Sequence, residues 1–193
     1  MRPSILRPAT VALFAMLSTA IAVPTQITAQ AAPAAPGAPV KQTFTAPADV
    51  QHSYEGLKTN ILKAADKMPA ESFVFRPTPD VRTFARVVNH VSEAQLRSCG
   101  TVNGTAPASL YKMPPETADK AAIIAALKAS FAECDKAYAS LTEANMLQAY
   151  TVGTTTRARI SLAWGIVSHD NEQYATLALY LRLKGLVPPS SEK

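Results

Sequence analysis

Two histidines and a glutamine are the side chains of this sequence best suited to act together in chemistry. His169 precedes Gln173 by four residues, and residues four apart lie on one face of an α-helix. His90 lies near the middle of another predicted helix, so we expect the three side chains to converge at mid-height of a bundle. Imidazole suits zinc, nickel or iron, and three protein ligands leave a position open for water or substrate. The alternative is a pair of hydrogen-bonded core histidines, the commoner role of a histidine on an apolar face.

Four segments carry apolar residues at helical spacing, which predicts four amphipathic helices and no convincing strand. The first predicted helix has its apolar stripe between Val50 and Met68. The second begins with Thr78 as N-cap and Pro79 in its first turn, and it ends near Gly100.

The other two predicted helices lie in the second half of the chain. The third begins around Thr117 and has the most regular stripe. The fourth has Thr155 or Thr156 as its cap and ends at Lys184–Gly185, because glycine permits a left-handed turn and Pro188 stops the helix from resuming. Four helices of about 20 to 30 residues indicate an all-α protein with a four-helix bundle.

The connection between the second and third helices predicts how the bundle is wound. It reads TVNGTAPASLYKMPPE, residues 101–116. A segment of that length can span up to about 50 Å, whereas a 20-residue helix is about 30 Å long. The chain can therefore return along the bundle before the third helix begins, which predicts an up-down-down-up order.

The two cysteines test this order. Cys99 and Cys134 lie at similar distances from the starts of the second and third predicted helices, so parallel helices would bring them to similar heights. Disulfides persist in exported proteins, and an even number of cysteines suits a bridge. In the alternative, Cys134 is a small buried residue and Cys99 a partly exposed thiol.

The start of the chain predicts export. Residues 1–31 have the layout of a secretory signal peptide, with Arg2 and Arg7 before the uncharged run Ala9–Val23 and small residues up to Ala31 at the predicted cleavage site. The run has about 15 residues, fewer than the roughly 18 that a spanning helix needs, so we expect no permanent membrane span.

Composition divides the rest of the chain into a linker and one domain. Residues 32–47 are rich in Ala and Pro and predict a linker, and residues 48–193 predict one domain in the periplasm or outside the cell. Without the two arginines of the signal peptide, the net charge of +5 falls to +3. The remaining arginines are scattered among acids, which argues against a nucleic-acid partner.

Two stretches resemble the DinB superfamily, especially its exported bacterial members. They are MPAESFVFRPTPDVRTFARVVNHVSEAQLRSCG and SHDNEQYATLALYLRLKGLVPPSS, and the resemblance extends from Asp49 to Ser191. It implies a four-helix bundle of up-down-down-up order. In this family a divalent metal is typically held by a histidine of helix two and a His-x3-His pair of helix four. His90 and His169 match two of these positions, and Gln173 replaces the third histidine.

The resemblance also implies roles for neighbouring side chains. Glu93 would be a base or would support His90, and Asp170 would support the site or supply a further ligand. Tyr180 points the same way as His169 in a helical projection, whereas Trp164 would pack in the core or form an aromatic wall.

Two classes of function are compatible with these residues. The first, which the resemblance implies, is a metal-dependent transferase or hydrolase, in which zinc, nickel or iron activates a thiol or water. The second is a non-catalytic bundle that binds a small molecule or partner without metal. A homodimer would also agree with the family resemblance.

Overall fold

The bounds of the helices and strands come from a computed structural model, which describes residues 44–105 and 112–193. The predicted signal peptide and most of the predicted linker lie outside these residues. The described elements are α1 (Ala46–Lys67), α2 (Phe84–Asn103), α3 (Lys120–Ala139), β1 (Ala149–Val152), β2 (Thr155–Ala158) and α4 (Arg159–Leu183). The protein is thus mostly helical, with one small antiparallel sheet that the all-α prediction lacked.

The helix α1 follows the predicted apolar stripe. The Thr45 side chain accepts a hydrogen bond from the Ala48 amide at 3.2 Å, and this caps the helix. Its buried face packs against α3, where the rings of Tyr54 and Tyr138 stack with centroids 4.0 Å apart. The Tyr54 hydroxyl donates to the Asp135 carboxylate at 2.8 Å, which satisfies a polar atom of a buried ring.

The start of α2 differs from the prediction. Thr83, not Thr78, is the N-cap, and its Oγ1 accepts from the Arg86 amide at 3.0 Å. The following amides of Phe84 and Ala85 donate to carbonyls of the preceding segment at 2.9 and 2.8 Å. These tertiary hydrogen bonds satisfy the free amides of the first turn, so Thr78 and the residues after it form a turn instead.

The helix α3 begins three residues later than predicted from Thr117. Asp119 is its N-cap and accepts from the Ala122 amide at 2.7 Å. The segment before it is tied to α2 by two long-range bonds. Thr83 donates to the Glu116 carboxylate at 2.6 Å, and Asn89 donates to the Pro114 carbonyl at 2.8 Å.

The strands β1 and β2 form a hairpin where the sequence predicted the cap of the last helix. Ala149 pairs with Ala158 and Val152 with Thr155, around a two-residue turn that starts at Gly153 with φ of 63°. Glycine at the first turn position suits a two-residue hairpin, and the flanking β-branched residues favour strands. The prediction of Thr155 or Thr156 as the helix cap was therefore wrong.

The helix α4 starts and ends on backbone hydrogen bonds. At its start, the amide of Arg159 donates to the Gln148 carbonyl at 2.8 Å, and no side chain caps the helix. At its end, Gly185 has φ of 74° and the Leu186 amide donates to the Leu181 carbonyl at 2.9 Å. This is the left-handed termination that the sequence predicted.

The interface between α2 and α3 is joined at several levels. Cys99 and Cys134 form a disulfide with Cα atoms 5.0 Å apart. One turn earlier on α2, Gln95 accepts from the Ser130 hydroxyl of α3 at 2.7 Å. Near the end of α2, Asn103 donates to the Glu133 carboxylate at 2.7 Å. These contacts fix α2 against a neighbour and so fix the position of His90.

No described helix, from residue 44 onwards and outside 106–111, has the length and apolarity needed to cross a membrane.

Candidate functional site

The side chains of His90 and His169 meet between α2 and α4. Their Nε2 atoms are 3.2 Å apart, and their ring planes are inclined at 65°. About a quarter of each side chain is exposed, 25% for His90 and 24% for His169. The two nitrogens therefore face one another within a pair of side chains that is partly exposed to solvent.

A carboxylate lies beside the other nitrogen of each ring. His90 Nδ1 is 3.8 Å from Glu93 Oε2, and His169 Nδ1 is 3.3 Å from Asp170 Oδ1. Only the Asp170 carboxylate is within hydrogen-bonding distance of its ring, and it favours the His169 tautomer that carries the proton on Nδ1. Two unprotonated Nε2 atoms at 3.2 Å would present facing lone pairs, so this separation requires a proton or a cation between them.

Glu93 is held in place by an arginine of its own helix. The Arg86 guanidinium donates to both carboxylate oxygens of Glu93, with three contacts of 3.0 Å. Paired guanidinium and carboxylate groups of this geometry form strong, charge-assisted hydrogen bonds. The carboxylate beside His90 is therefore fixed and charge-compensated.

Asp170 is held by a chain of hydrogen bonds that crosses three helices. It is 1% exposed, and its Oδ2 accepts from Gln95 Nε2 at 2.7 Å. Gln95 Oε1 in turn accepts from the Ser130 hydroxyl at 2.7 Å. Burial raises the pKa of Asp170, and hydrogen bonds from His169 and Gln95 act in the opposite direction. The chain fixes the carboxylate that orients His169.

Sequence reasoning missed Gln95 and Ser130. Both are fully buried polar residues within otherwise apolar helix faces, since Gln95 lies between Val91 and Cys99, and Ser130 follows Leu127 by three residues. A polar residue on a buried stripe needs a partner. That is the signal by which the sequence could have identified them.

Burial also favours the neutral form of His90. Loss of solvent lowers the pKa of His90 below its usual 6.5, and the positive charges of Arg82 and Arg86 add to the effect. Glu93 acts in the opposite direction. A neutral imidazole is the form that binds metals.

Comparison with known proteins identifies the family. A profile of the DinB superfamily matches residues 53–177. The chain belongs to the DinB superfamily. Among solved structures, the crystal structure of a DinB-like protein from Bacillus cereus ATCC 10987 has a TM-score of 0.60 and 15% sequence identity, and the match covers 72% of this chain and 93% of that chain. At this identity the likeness concerns the fold alone. No curated protein matches the chain.

This DinB-superfamily protein does not bring all of its predicted site residues together. Gln173 is buried on α4 one turn beyond His169, and it lines a cleft with Arg82 and Tyr180. It makes no hydrogen bond to either histidine within residues 44–105 and 112–193. The Tyr180 hydroxyl donates to the Arg82 carbonyl at 2.9 Å, so Tyr180 belongs to this cleft as well.

Trp164 does not pack in the core of this DinB-superfamily protein. Its side chain is 42% exposed. Trp164 precedes His169 by five residues, which places the two about 140° apart around a helix. The core alternative for Trp164 was therefore wrong.

The histidines satisfy part of what a metal would require. Nitrogen ligands about 2.0–2.1 Å from a tetrahedral zinc lie about 3.3 Å apart, close to the observed 3.2 Å between the two Nε2 atoms. Within the described residues, no group of three or more His, Cys, Asp or Glu side chains is arranged to hold a metal. In the described part of the chain, two imidazole nitrogens therefore lie together without a third side chain of these types beside them.

Proposed function

We propose that the protein is an exported DinB-superfamily protein that binds a divalent metal through His90 and His169. The single observation that carries this proposal is the pair of Nε2 atoms 3.2 Å apart, each on a ring whose Nδ1 faces a carboxylate. A carboxylate behind a ligating histidine fixes its tautomer and raises its basicity. DinB-superfamily proteins are often metal-binding, which agrees with this use of the pair.

The roles of the neighbouring residues follow from their contacts. Asp170 contacts the His169 ring and is held by Gln95, whereas Glu93 places a negative charge 3.8 Å from His90 Nδ1. Two nitrogen ligands suit zinc, nickel or iron and leave the other positions to water or substrate. When bound, such a metal lowers the pKa of a coordinated water or thiol and so supplies a nucleophile at neutral pH. This chemistry fits a transferase or hydrolase.

The proposed site differs from a three-histidine site at Gln173, which stands in place of the third histidine. A neutral amide oxygen is a poorer donor than imidazole to these metals, and Gln173 lines a different cleft from His169. The metal is therefore held more weakly than three histidines would hold it. The proposed site is a weakened one.

A metal-free binding protein is the second candidate. A distance of 3.2 Å also suits a hydrogen bond between the two rings, provided that one Nε2 carries a proton. In that case the pair is a polar feature of a pocket that binds a small molecule. Metal content distinguishes the two candidates.

The up-down-down-up order belongs to the same proposal. Contacts between α2 and α3 ascend together along both helices, from Gln95–Ser130 to Cys99–Cys134. Towards α4 the order is reversed: Tyr180 contacts Arg82 just before α2, and the earlier residue His169 contacts the later residue His90. These pairings support parallel α2 and α3 with α4 antiparallel to both.

Export is supported by the signal-peptide layout of residues 1–31 and agrees with the disulfide.

Elemental analysis tests the metal proposal. The protein is expressed from its full-length sequence, recovered from the export compartment without affinity-tag histidines, and compared with the His169→Ala and His52→Ala variants. His52 is exposed on α1 and serves as the matched control. We expect zinc, nickel or iron near one equivalent in the wild type and the control, and none in His169→Ala. A wild type that takes up no metal even from excess would instead support the metal-free binding protein.

A further inference from the structure

A groove opens beside His169, between α2, α4 and the hairpin. It has a volume of about 260 Å³. Residues of all three elements line it, and His169 stands at one end of the set contributed by α4. Small-molecule sites have volumes of the order of 300–1,000 Å³, so this groove suits a small ligand.

The charge of the groove selects the kind of ligand. Arg97 of α2 and Arg157 of β2 line it, and none of the described residues lining it is acidic. Both arginines are exposed, and neither guanidinium donates a hydrogen bond to another described residue. Two unpaired guanidinium groups on different elements form a site for an anion, and the planar fork of arginine matches a carboxylate.

Apart from the arginines, His169 and the hydroxyl residues Ser98 and Thr155, the lining is apolar. Leu162 and Ile166 of α4 and Val152 of β1 contribute side chains to the groove. A ligand that fills it therefore needs an uncharged apolar part next to its anionic group.

Gly165 keeps the groove open. It lies within α4, where glycine costs roughly 0.5–1 kcal/mol relative to alanine. A Cβ at this position would meet nothing within 4 Å, so no packing contact requires glycine. Its φ is not in the left-handed region either. The absence of a side chain at Gly165 widens the groove next to Arg97, Arg157 and His169.

We propose that this groove binds a small organic carboxylate, with its carboxylate on Arg97 and Arg157, its apolar part on Leu162 and Ile166, and its far end at His169. Taking this ligand as the substrate rests on the proposed function of the paired histidines. Binding of the carboxylate itself does not require a metal. The groove therefore names a substrate class for the site and can be tested separately from it.

The test is a chemical-shift titration of the metal-free protein, expressed from its full-length sequence, with benzoate and with its neutral counterpart benzyl alcohol. We expect saturable shifts with benzoate at Gly165 and at the side-chain Nε–H of Arg97 and Arg157. Benzyl alcohol, which lacks the charge, should bind at least about tenfold more weakly, because loss of one charge-assisted pairing is worth about a factor of ten.

Variants locate the binding. Arg97→Gln with Arg157→Gln, and separately Gly165→Leu, should each weaken benzoate binding about tenfold or more. Lys128→Gln removes a positive charge from α3, and Gly56→Leu fills an equally open helical position on α1, so both should leave binding unchanged.

The outcomes separate this proposal from the metal proposal. No saturable benzoate binding at millimolar concentration, shifts scattered over the basic surface, or equal binding of benzyl alcohol would each overturn the carboxylate site. The two arginine substitutions are on the surface, so they remain informative if Gly165→Leu fails to fold. The titration uses metal-free protein, so it does not depend on the metal proposal. If the protein binds benzoate but takes up no zinc, the carboxylate site is supported and only the metal proposal fails.

Discussion

The helix α2 has two interfaces of opposite character. Towards α3 it is closed, with a disulfide and the buried bond between Gln95 and Ser130. Towards α4 it is open around His90 and His169, each about one quarter exposed, with a groove beside His169. On the closed side Gln95 and Ser130 are hydrogen-bonded to each other, whereas the histidines face each other across a gap that suits a proton or a cation.

The difference shows that one interface of α2 fixes the helix in place, while the other carries the candidate site. His90 and Gln95 lie on the same helix, so anchoring of α2 to α3 also sets the position of His90. Gln95 connects the two sides directly, because one end accepts from Ser130 and the other donates to Asp170. Sites held on rigid elements by fixed supporting contacts keep their geometry better than sites on loops.

The largest predicted effect concerns the closed side. Cys99→Ala combined with Cys134→Ala should lower the free energy of unfolding by about 4 kcal/mol, because the bridge closes a loop between residues 35 apart in the sequence. Urea denaturation followed by circular dichroism measures the loss. The wild type under reducing conditions is the control, because reduction breaks the same disulfide without changing the sequence. A loss below about 1 kcal/mol would mean that the closed interface does not depend on the bridge.

The second prediction concerns the residue that joins the two sides. Gln95→Leu leaves the buried carboxylate of Asp170 without its amide donor and should lower the free energy of unfolding by about 3 kcal/mol. Ser130→Ala, which removes only the donor to Gln95, should cost about 1 kcal/mol. Equal losses from the two substitutions, measured by the same denaturation, would contradict the connecting role of Gln95.

The smallest predicted effect is on pH dependence. Hydrogen bonds from Asn103 and Thr105 and the contact with Lys136 lower the pKa of Glu133 below its usual 4.5. The folded state therefore binds fewer protons than the unfolded state, so this stabilisation is complete above pH 4.5 and is lost as the pH falls through the lowered pKa.

Glu133→Gln isolates this contribution. The substitution should remove about 1 kcal/mol at neutral pH and flatten the acid side of the stability profile. Lys136, at 69% exposed, contributes little by comparison, so Lys136→Gln is the control. An unchanged acid slope in Glu133→Gln would show that other carboxylates determine it.

Much of the helical framework could be predicted from the sequence, because it depends on local pattern. The stripe of α1 and the left-handed end of α4 at Gly185 follow from residue spacing and glycine chemistry. His90 and His169 were predicted to converge, and they do. Cys99 and Cys134 lie at bonding distance.

The remaining features depend on contacts between distant residues. The cap of α2 moved to Thr83 because carbonyls of Phe73 and Phe75 satisfy the next amides. The hairpin was missed because four-residue strands are too short for a clear alternation, and threonine suits a cap as well as a strand. Helical spacing correctly predicted that Gln173 and His169 share a face of α4. Which of the two contacts His90 depends on how α2 packs against α4, and the sequence does not specify this.

The most direct test of the paired-histidine site is the nitrogen NMR spectrum of the two imidazoles in the metal-free protein and during a zinc titration. We predict that a single proton lies between the two Nε2 atoms in the metal-free protein, and that zinc replaces it and shifts both Nε2 resonances together at one equivalent. A proton on each Nε2, or Nε2 resonances that do not respond to zinc, would contradict the proposal that His90 and His169 form a metal-binding pair.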